Sequence, residues 1–226
     1  MPFFAKKKQN SLAVEMLGLH FANPVGLMIP PDTPIKCPRT LQKAGFTCLT
    51  PPKDRVLEWV SNLQEFRKKT VLAINLKTDI VRSFSLVYDF ADLIIIDPDS
   101  DNGISSPDIA DTAQLLDELV SLRLCYEHYT PIFLRLSHED TPDEIHPLVS
   151  CARLSGLDGI VAPTAEKVKL TALECQSRLP IIGIAETPEN AVAELQAGAM
   201  LVQTNLRPLA LKKILKAIEN QPTDTL

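Results

Sequence analysis

Eight short apolar runs, each followed by a helical pattern, constrain this chain more than any other feature. The runs fall at 23–29, 46–50, 70–76, 92–97, 131–136, 157–162, 180–184 and 200–204. Each is rich in Val, Ile or Leu, and most are apolar without alternation. That pattern predicts strands buried on both faces, as in a parallel sheet covered by helices. Helical patterns follow at about 38–44, 53–67, 78–90, 108–127, 142–154, 165–177, 188–197 and 208–219. Thr141-Pro142-Asp143-Glu144 predicts a capping box with proline at the first helical position, and Thr187-Pro188-Glu189 repeats the Thr-Pro start. Gly45, Gly156 and Gly198 stand where helices give way to strands and are expected as C-caps. Eight strand–helix units in one short chain predict an α/β fold, a single (β/α)8 TIM barrel. A doubly wound open sheet is the alternative. A short β-hairpin over 14–21, turning at Gly18, precedes the first unit.

The 226 residues suit one domain, with 1–11 a loose polar tail and 12–220 the barrel. A formal charge of −5 argues against a general nucleic-acid binder. The five cysteines, Cys37, Cys48, Cys125, Cys151 and Cys175, form no Cys-x-x-Cys pair, which excludes zinc ribbons and points to reduced, buried thiols. The N-terminal stretch has no continuous apolar core of a signal peptide. No apolar run approaches the ~20 residues of a membrane span. A cytoplasmic location is the expectation. Glycine is scarce, at 8, and proline plentiful, at 18. Few positions can therefore bring the main chain close to a phosphate.

In a parallel α/β protein the chemistry sits where strands end. One end is conspicuous: the run Leu93-Ile94-Ile95-Ile96 passes into Asp97-Pro98-Asp99-Ser100-Asp101-Asn102-Gly103, a burst of carboxylates, a hydroxyl and an amide.

Several segments together resemble the dihydroorotate dehydrogenase family. Leu17-Gly-Leu-His-Phe-Ala-Asn-Pro-Val-Gly-Leu27 resembles its hairpin and first strand. Gly45-Phe46, Leu72-Ala-Ile-Asn75, Leu157-Asp-Gly-Ile160, Leu179-Pro-Ile-Ile-Gly-Ile184 and Ala197-Gly-Ala-Met-Leu-Val-Gln203 resemble later strands in the same order. The resemblance covers roughly residues 14–218, and it implies a shortened, divergent member. It also implies an oxidoreductase of pyrimidine biosynthesis. There FMN takes hydride from dihydroorotate while a cysteine or serine base removes a proton, leaving orotate.

Carried over residue by residue, the resemblance makes Ser100 the catalytic base. It makes Asn75, Asn102 and Arg135 cofactor-binding candidates, Asn75 having a strand-end cap as its alternative; Arg207, outside the family pattern, is a further candidate as an anion contact, with a solvated helix-terminus arginine as its alternative. Arg135 stands where the family has a lysine, and its alternative is a pair with Asp97 or Asp99 across the mouth. Other positions depart from the pattern. The first-strand lysine has become Thr33, with Lys36 three residues on. The insertion after the second strand is absent, because Thr50-Pro51-Pro52-Lys53 leads directly into a helix. Asp97 replaces an asparagine, and with Asp99 and Asp101 it is expected to repel an anionic substrate. Gly183-Ile184-Ala185-Glu186-Thr187-Pro188 replaces the glycine pair that holds the flavin phosphate. Alanine blocks close approach, Glu186 adds a like charge and Pro188 lacks an N–H. After the eighth strand, Gln203-Thr204-Asn205-Leu206-Arg207-Pro208 lacks the expected glycine as well.

These departures predict that FMN is not bound tightly and that dihydroorotate oxidation is lost or much weakened, a pseudoenzyme binding a small molecule or a protein partner at the barrel mouth. No membrane or nucleic-acid partner is expected, and oligomeric state stays open. One alternative is a working FMN-dependent dihydroorotate dehydrogenase with a rebuilt site. A second is a metal-assisted lyase or hydrolase at the acidic mouth, where His138-Glu139-Asp140 could join Asp97, Asp99 and Asp101, although no ligand spacing marks a metal site.

Overall fold

Alternation along the strands sorts the side chains into two layers, and this closes the sheet. The computed structural model describes residues 12–31, 41–53, 56–63, 70–98, 108–176, 178–205 and 208–221. A hairpin, β1 (Val14–Met16) and β2 (Leu19–Phe21), comes first. Eight strands follow: β3 (Val25–Ile29), β4 (Phe46–Leu49), β5 (Val71–Leu76), β6 (Leu93–Ile96), β7 (Ile132–Arg135), β8 (Gly159–Ala162), β9 (Ile181–Ile184) and β10 (Leu201–Thr204). All pair in parallel, in the order β10-β3-β4-β5-β6-β7-β8-β9, and the sheet closes on itself. The helices are α1 (Val56–Ser61), α2 (Ile80–Val87), α3 (Ile109–Arg123), α4 (Pro142–Ser155), α5 (Ala165–Glu174), α6 (Pro188–Gln196) and α7 (Pro208–Glu219). The barrel is thus as expected, and the open sheet is excluded.

Residues such as Phe46, Cys48, Ala73, Ile95, Phe133 and Leu201 fill the barrel interior. Their strand neighbours Leu72, Ile74, Ile94, Ile96 and Leu134 face outward and join the helices in a separate core. Phe46 lies beside Gly26 and Phe133 beside Gly159. A Cβ on either glycine would stand 2.2 Å from the ring, so each glycine leaves the space its phenylalanine fills. Each fully buried Phe contributes ~2–3 kcal/mol through area removed from water. The hairpin plugs the N-terminal end of this interior: Phe21 meets Phe46 edge to face at 5.8 Å, and Met16 is buried alongside. Leu17 and Gly18 both take positive φ at its turn.

Element ends differ from expectation in physically simple ways. β3 begins at Val25 because the Asn23 side chain accepts from Val25 N–H and donates to the Lys43 carbonyl, fixing a turn. Over 38–44 there is only a 3-10 turn at Leu41–Lys43, with 38–40 outside the described residues. Of the helix expected over 53–67, the described part is α1 with a turn at 62–63, and 54–55 and 64–67 lie outside the described residues. At α4, Thr141 donates its N–H and its hydroxyl to Glu144, both at 2.8 Å, and these bonds hold the Glu144 carboxyl below its ordinary range. Gly156 caps the same helix at φ +83° and Gly198 follows α6 at φ +116°. Gly45 is not a left-handed cap. Its N–H donates to the Val25 carbonyl, and a Cβ would lie 1.8 Å from the Asn23 carbonyl oxygen, so close approach of two backbones requires the glycine. The cysteines are free thiols among the described residues, but Cys125 is exposed rather than buried. No described helix is long and apolar enough to cross a membrane.

One buried carboxyl is absent from any sequence expectation. Glu194 of α6 is 2 % exposed and packs against Gly183 of β9, where a Cβ would come within 2.8 Å of it. Its Oε2 has no partner. Burial pushes the Glu194 carboxyl up to about 8 from an ordinary 4.5. The folded chain keeps this proton between those values while the unfolded chain releases it, so the group lowers stability as pH rises through that window. Glu194→Met fills the site without a titrating group. It should add about 2 kcal/mol in urea unfolding at about pH 9 and little at about pH 4. An equal gain at both pH values would contradict the assignment.

Candidate functional site

Three strand ends converge on one carboxylate oxygen. Asn75 lies in β5, two residues beyond Ala73, so the period of two turns it into the barrel interior. Lys77 follows at the next inward position. Asp97 directly follows β6 and Arg135 is the last residue of β7. Asn75 Nδ2 donates to Asp97 Oδ2 at 3.3 Å. Lys77 Nζ lies 3.3 Å from the same oxygen and Arg135 Nε 3.5 Å. The Asp97 side chain is 4 % exposed, Arg135 15 % and Lys77 35 %.

Asn75, Lys77 and Arg135 of this cluster line a cleft of about 630 Å³ at the C-terminal end of the barrel, with Asp97 behind them. Pro30, Pro31, Pro51 and Pro52 line it from the loops after β3 and β4, with Met28 of β3. Thr50, Lys53, Thr78 and Asn205 complete its polar lining with the β5 and β7 groups. Two amides nearby have polar atoms without partners: Oδ1 of Asn75, and both side-chain atoms of fully buried Gln203, which faces inward two residues after Leu201. The Cys48 thiol lies deeper. Burial is the main cause that pushes it up to about 12, offset in part by Arg135, so it stays a neutral thiol.

The structure therefore brings Asn75 and Arg135 into one cleft and adds Lys77, which the sequence reading missed. The signal was present, because position 77 lies two residues beyond Asn75 on the same face of the chain. Arg135 pairs with Asp97, as its alternative reading anticipated. Asp97 does not stand as a bare carboxylate, because Lys77 and Arg135 both lie against its Oδ2; the other two carboxylates of the expected repulsion, Asp99 and Asp101, lie outside the described residues. Ser100, Asn102 and Arg207 lie outside the described residues, as do Asp99, Asp101, Thr33 and Lys36.

Two neighbouring loops are organised by their own bonds. After β7, Asp140 Oδ2 accepts from Ser137 N–H at 2.7 Å, and Lys167 Nζ donates to the carbonyls of Ser137 and His138, each at 2.7 Å. Among the described residues no three His, Cys, Asp or Glu side chains gather to hold a metal ion. After β9, Ala185 N–H donates to the Gln203 carbonyl, Thr187 Oγ1 accepts from Asn190 N–H at 3.1 Å, and Pro188 has no N–H to give. Gly183 is occupied by its packing against Glu194.

Comparison with known proteins places this geometry in context. No family model matches the chain. Dihydroorotate dehydrogenase (quinone) of Idiomarina loihiensis is 23 % identical over 282 aligned positions, covering 90 % of this chain and 84 % of that protein. The enzyme of the same description from Aeromonas hydrophila subsp. hydrophila is 24 % identical, covering 84 % of this chain and 80 % of that one. An alignment of 282 positions exceeds the 226 residues here, so the relative carries segments this chain lacks. In structure, the dihydroorotate dehydrogenase of Eimeria tenella in complex with ferulenol superposes with a TM-score of 0.76 at 16 % identity. That match covers 97 % of this chain and 85 % of the other. An aldolase, QR15, also shares the barrel, with a TM-score of 0.62 over 78 % of this chain and 85 % of its own. In sequence, at 23–24 % identity, and in fold, the chain is similar to dihydroorotate dehydrogenases.

Proposed function

We propose that this barrel does not hold FMN tightly, that oxidation of dihydroorotate is lost or much weakened, and that its mouth binds a different small ligand. The observation that carries the reading is the loop between β9 and α6. A flavin phosphate there needs several N–H groups converging at a helix N-terminus. In this chain Ala185 N–H is spent on the sheet, Asn190 N–H on Thr187, and Pro188 has none. Glu186 adds a negative charge beside them. The concave cleft, with its fixed cations and proline walls, supports retention of a ligand site after the parent chemistry has gone.

A second reading keeps the FMN-dependent dehydrogenase, because Asn75 and Arg135, both cofactor candidates, line the same cleft. Thermal melting separates the two. A ligand present at about a hundred times its Kd stabilises the folded state by about 2.7 kcal/mol, roughly 5–10 °C for a chain of this size. The proposal expects no rise in Tm with added FMN, alone or with orotate. A rise of that size with FMN would establish the second reading.

A further inference from the structure

Within the reading that the mouth binds a small ligand, we propose that its head group is a carboxylate carrying an adjacent hydroxyl donor, as in a 2-hydroxy acid. Two observations point there. Arg135 meets Asp97 through Nε, and among the described residues neither Nη group donates a hydrogen bond. The remaining edge of a guanidinium is a fork of matching width for a carboxylate. Lys77, which pairs with the same Asp97 oxygen, leaves the cluster with one positive charge in excess.

The second observation is Asn75. A carboxylate can only accept hydrogen bonds, so the amide of Asn75 turns its Nδ2 donor towards Asp97. Oδ1 is left buried, at the cleft wall, without a donor. A buried acceptor without a partner is a cost that a ligand hydroxyl can remove. The cluster thus presents a fork for an oxyanion and, beside it, an acceptor for one donor. The proline walls offer apolar contact for the rest of a larger molecule, with Thr50, Lys53, Thr78 and Asn205 as the other polar groups of the cleft.

The test uses three probes of the same carbon skeleton: lactate, propionate, which lacks the hydroxyl, and lactamide, which lacks the charge. Saturation-transfer NMR on the full chain at constant ionic strength reads their binding. Lactate should bind at least tenfold more tightly than either of the others. Arg135→Met, which removes both the fork and the excess charge, should abolish that preference for lactate over lactamide. Asn75→Ala should abolish the preference over propionate, and circular dichroism confirms that each variant is folded. Should one variant not fold, the other together with the three-probe ranking decides. Equal binding of lactate and propionate, no binding of lactate, or variants that keep the preference would overturn the proposal. Those failures in a protein free of FMN leave the broader reading standing, whereas FMN in the purified protein overturns that reading whatever lactate does.

Discussion

Asp158→Ala should cost ~3–5 kcal/mol and lower Tm by roughly 10 °C, the largest effect expected of any single side chain here. Asp158 stands at the foot of β8. Its Oδ2 accepts from Arg123 Nη1 at 2.7 Å and from Ile132 N–H at 2.9 Å, and Tyr129 OH donates to Oδ1. Arg123 in turn donates to the Gly156 carbonyl at 3.0 Å and lies 4.8 Å over the Tyr129 ring. One carboxylate therefore ties the end of α3, the start of β7 and the turn before β8. The Asp158 and Arg123 side chains are only 12 % and 10 % exposed, so deleting the acid strands a buried guanidinium without its counter-charge. Tyr129 supplies an independent readout. Burial, then the bond to Asp158, pushes its phenol up to about 12. In Asp158→Ala the phenol should titrate lower, followed by ultraviolet absorbance. A stability loss under about 1 kcal/mol with an unchanged tyrosine titration would contradict this account.

Asp97→Ala should cost about 3 kcal/mol, for a related reason at the opposite end of the barrel. It leaves Arg135 and Lys77 facing each other without the acid between them, and it orphans Asn75 Nδ2 as well as Oδ1. Lys77 is the more exposed and can turn to water, which limits the penalty. Arg135 cannot move as freely. Removing the charges together should be far milder: in Asp97→Leu combined with Arg135→Met most of the lost stability should return. Urea unfolding of both singles and the double gives the coupling directly. Losses that simply add would show that the two residues do not depend on each other.

The sequence made the architecture legible because burial on both faces leaves an unusual mark: apolar runs without alternation, recurring with helices between them. It located Asn75, Asp97 and Arg135 at strand ends for the same reason. Their meeting on a single oxygen was not legible, because it depends on the stagger between β5, β6 and β7, which no local pattern encodes. Lys77 was recoverable from the period of two past Asn75. Glu194 was recoverable from helical spacing, since it lies three residues after buried Ala191 on the core face of α6. Gly45 shows the opposite failure. Its place after a helical pattern suggested a cap, whereas its role is set by Asn23, a neighbour in space on the adjoining segment.

The visible absorption spectrum of the chain as purified tests the central claim most directly. The account predicts a colourless protein with no flavin bands, and none gained after incubation with FMN and removal of the excess. A yellow protein whose flavin bands bleach with dihydroorotate would contradict it.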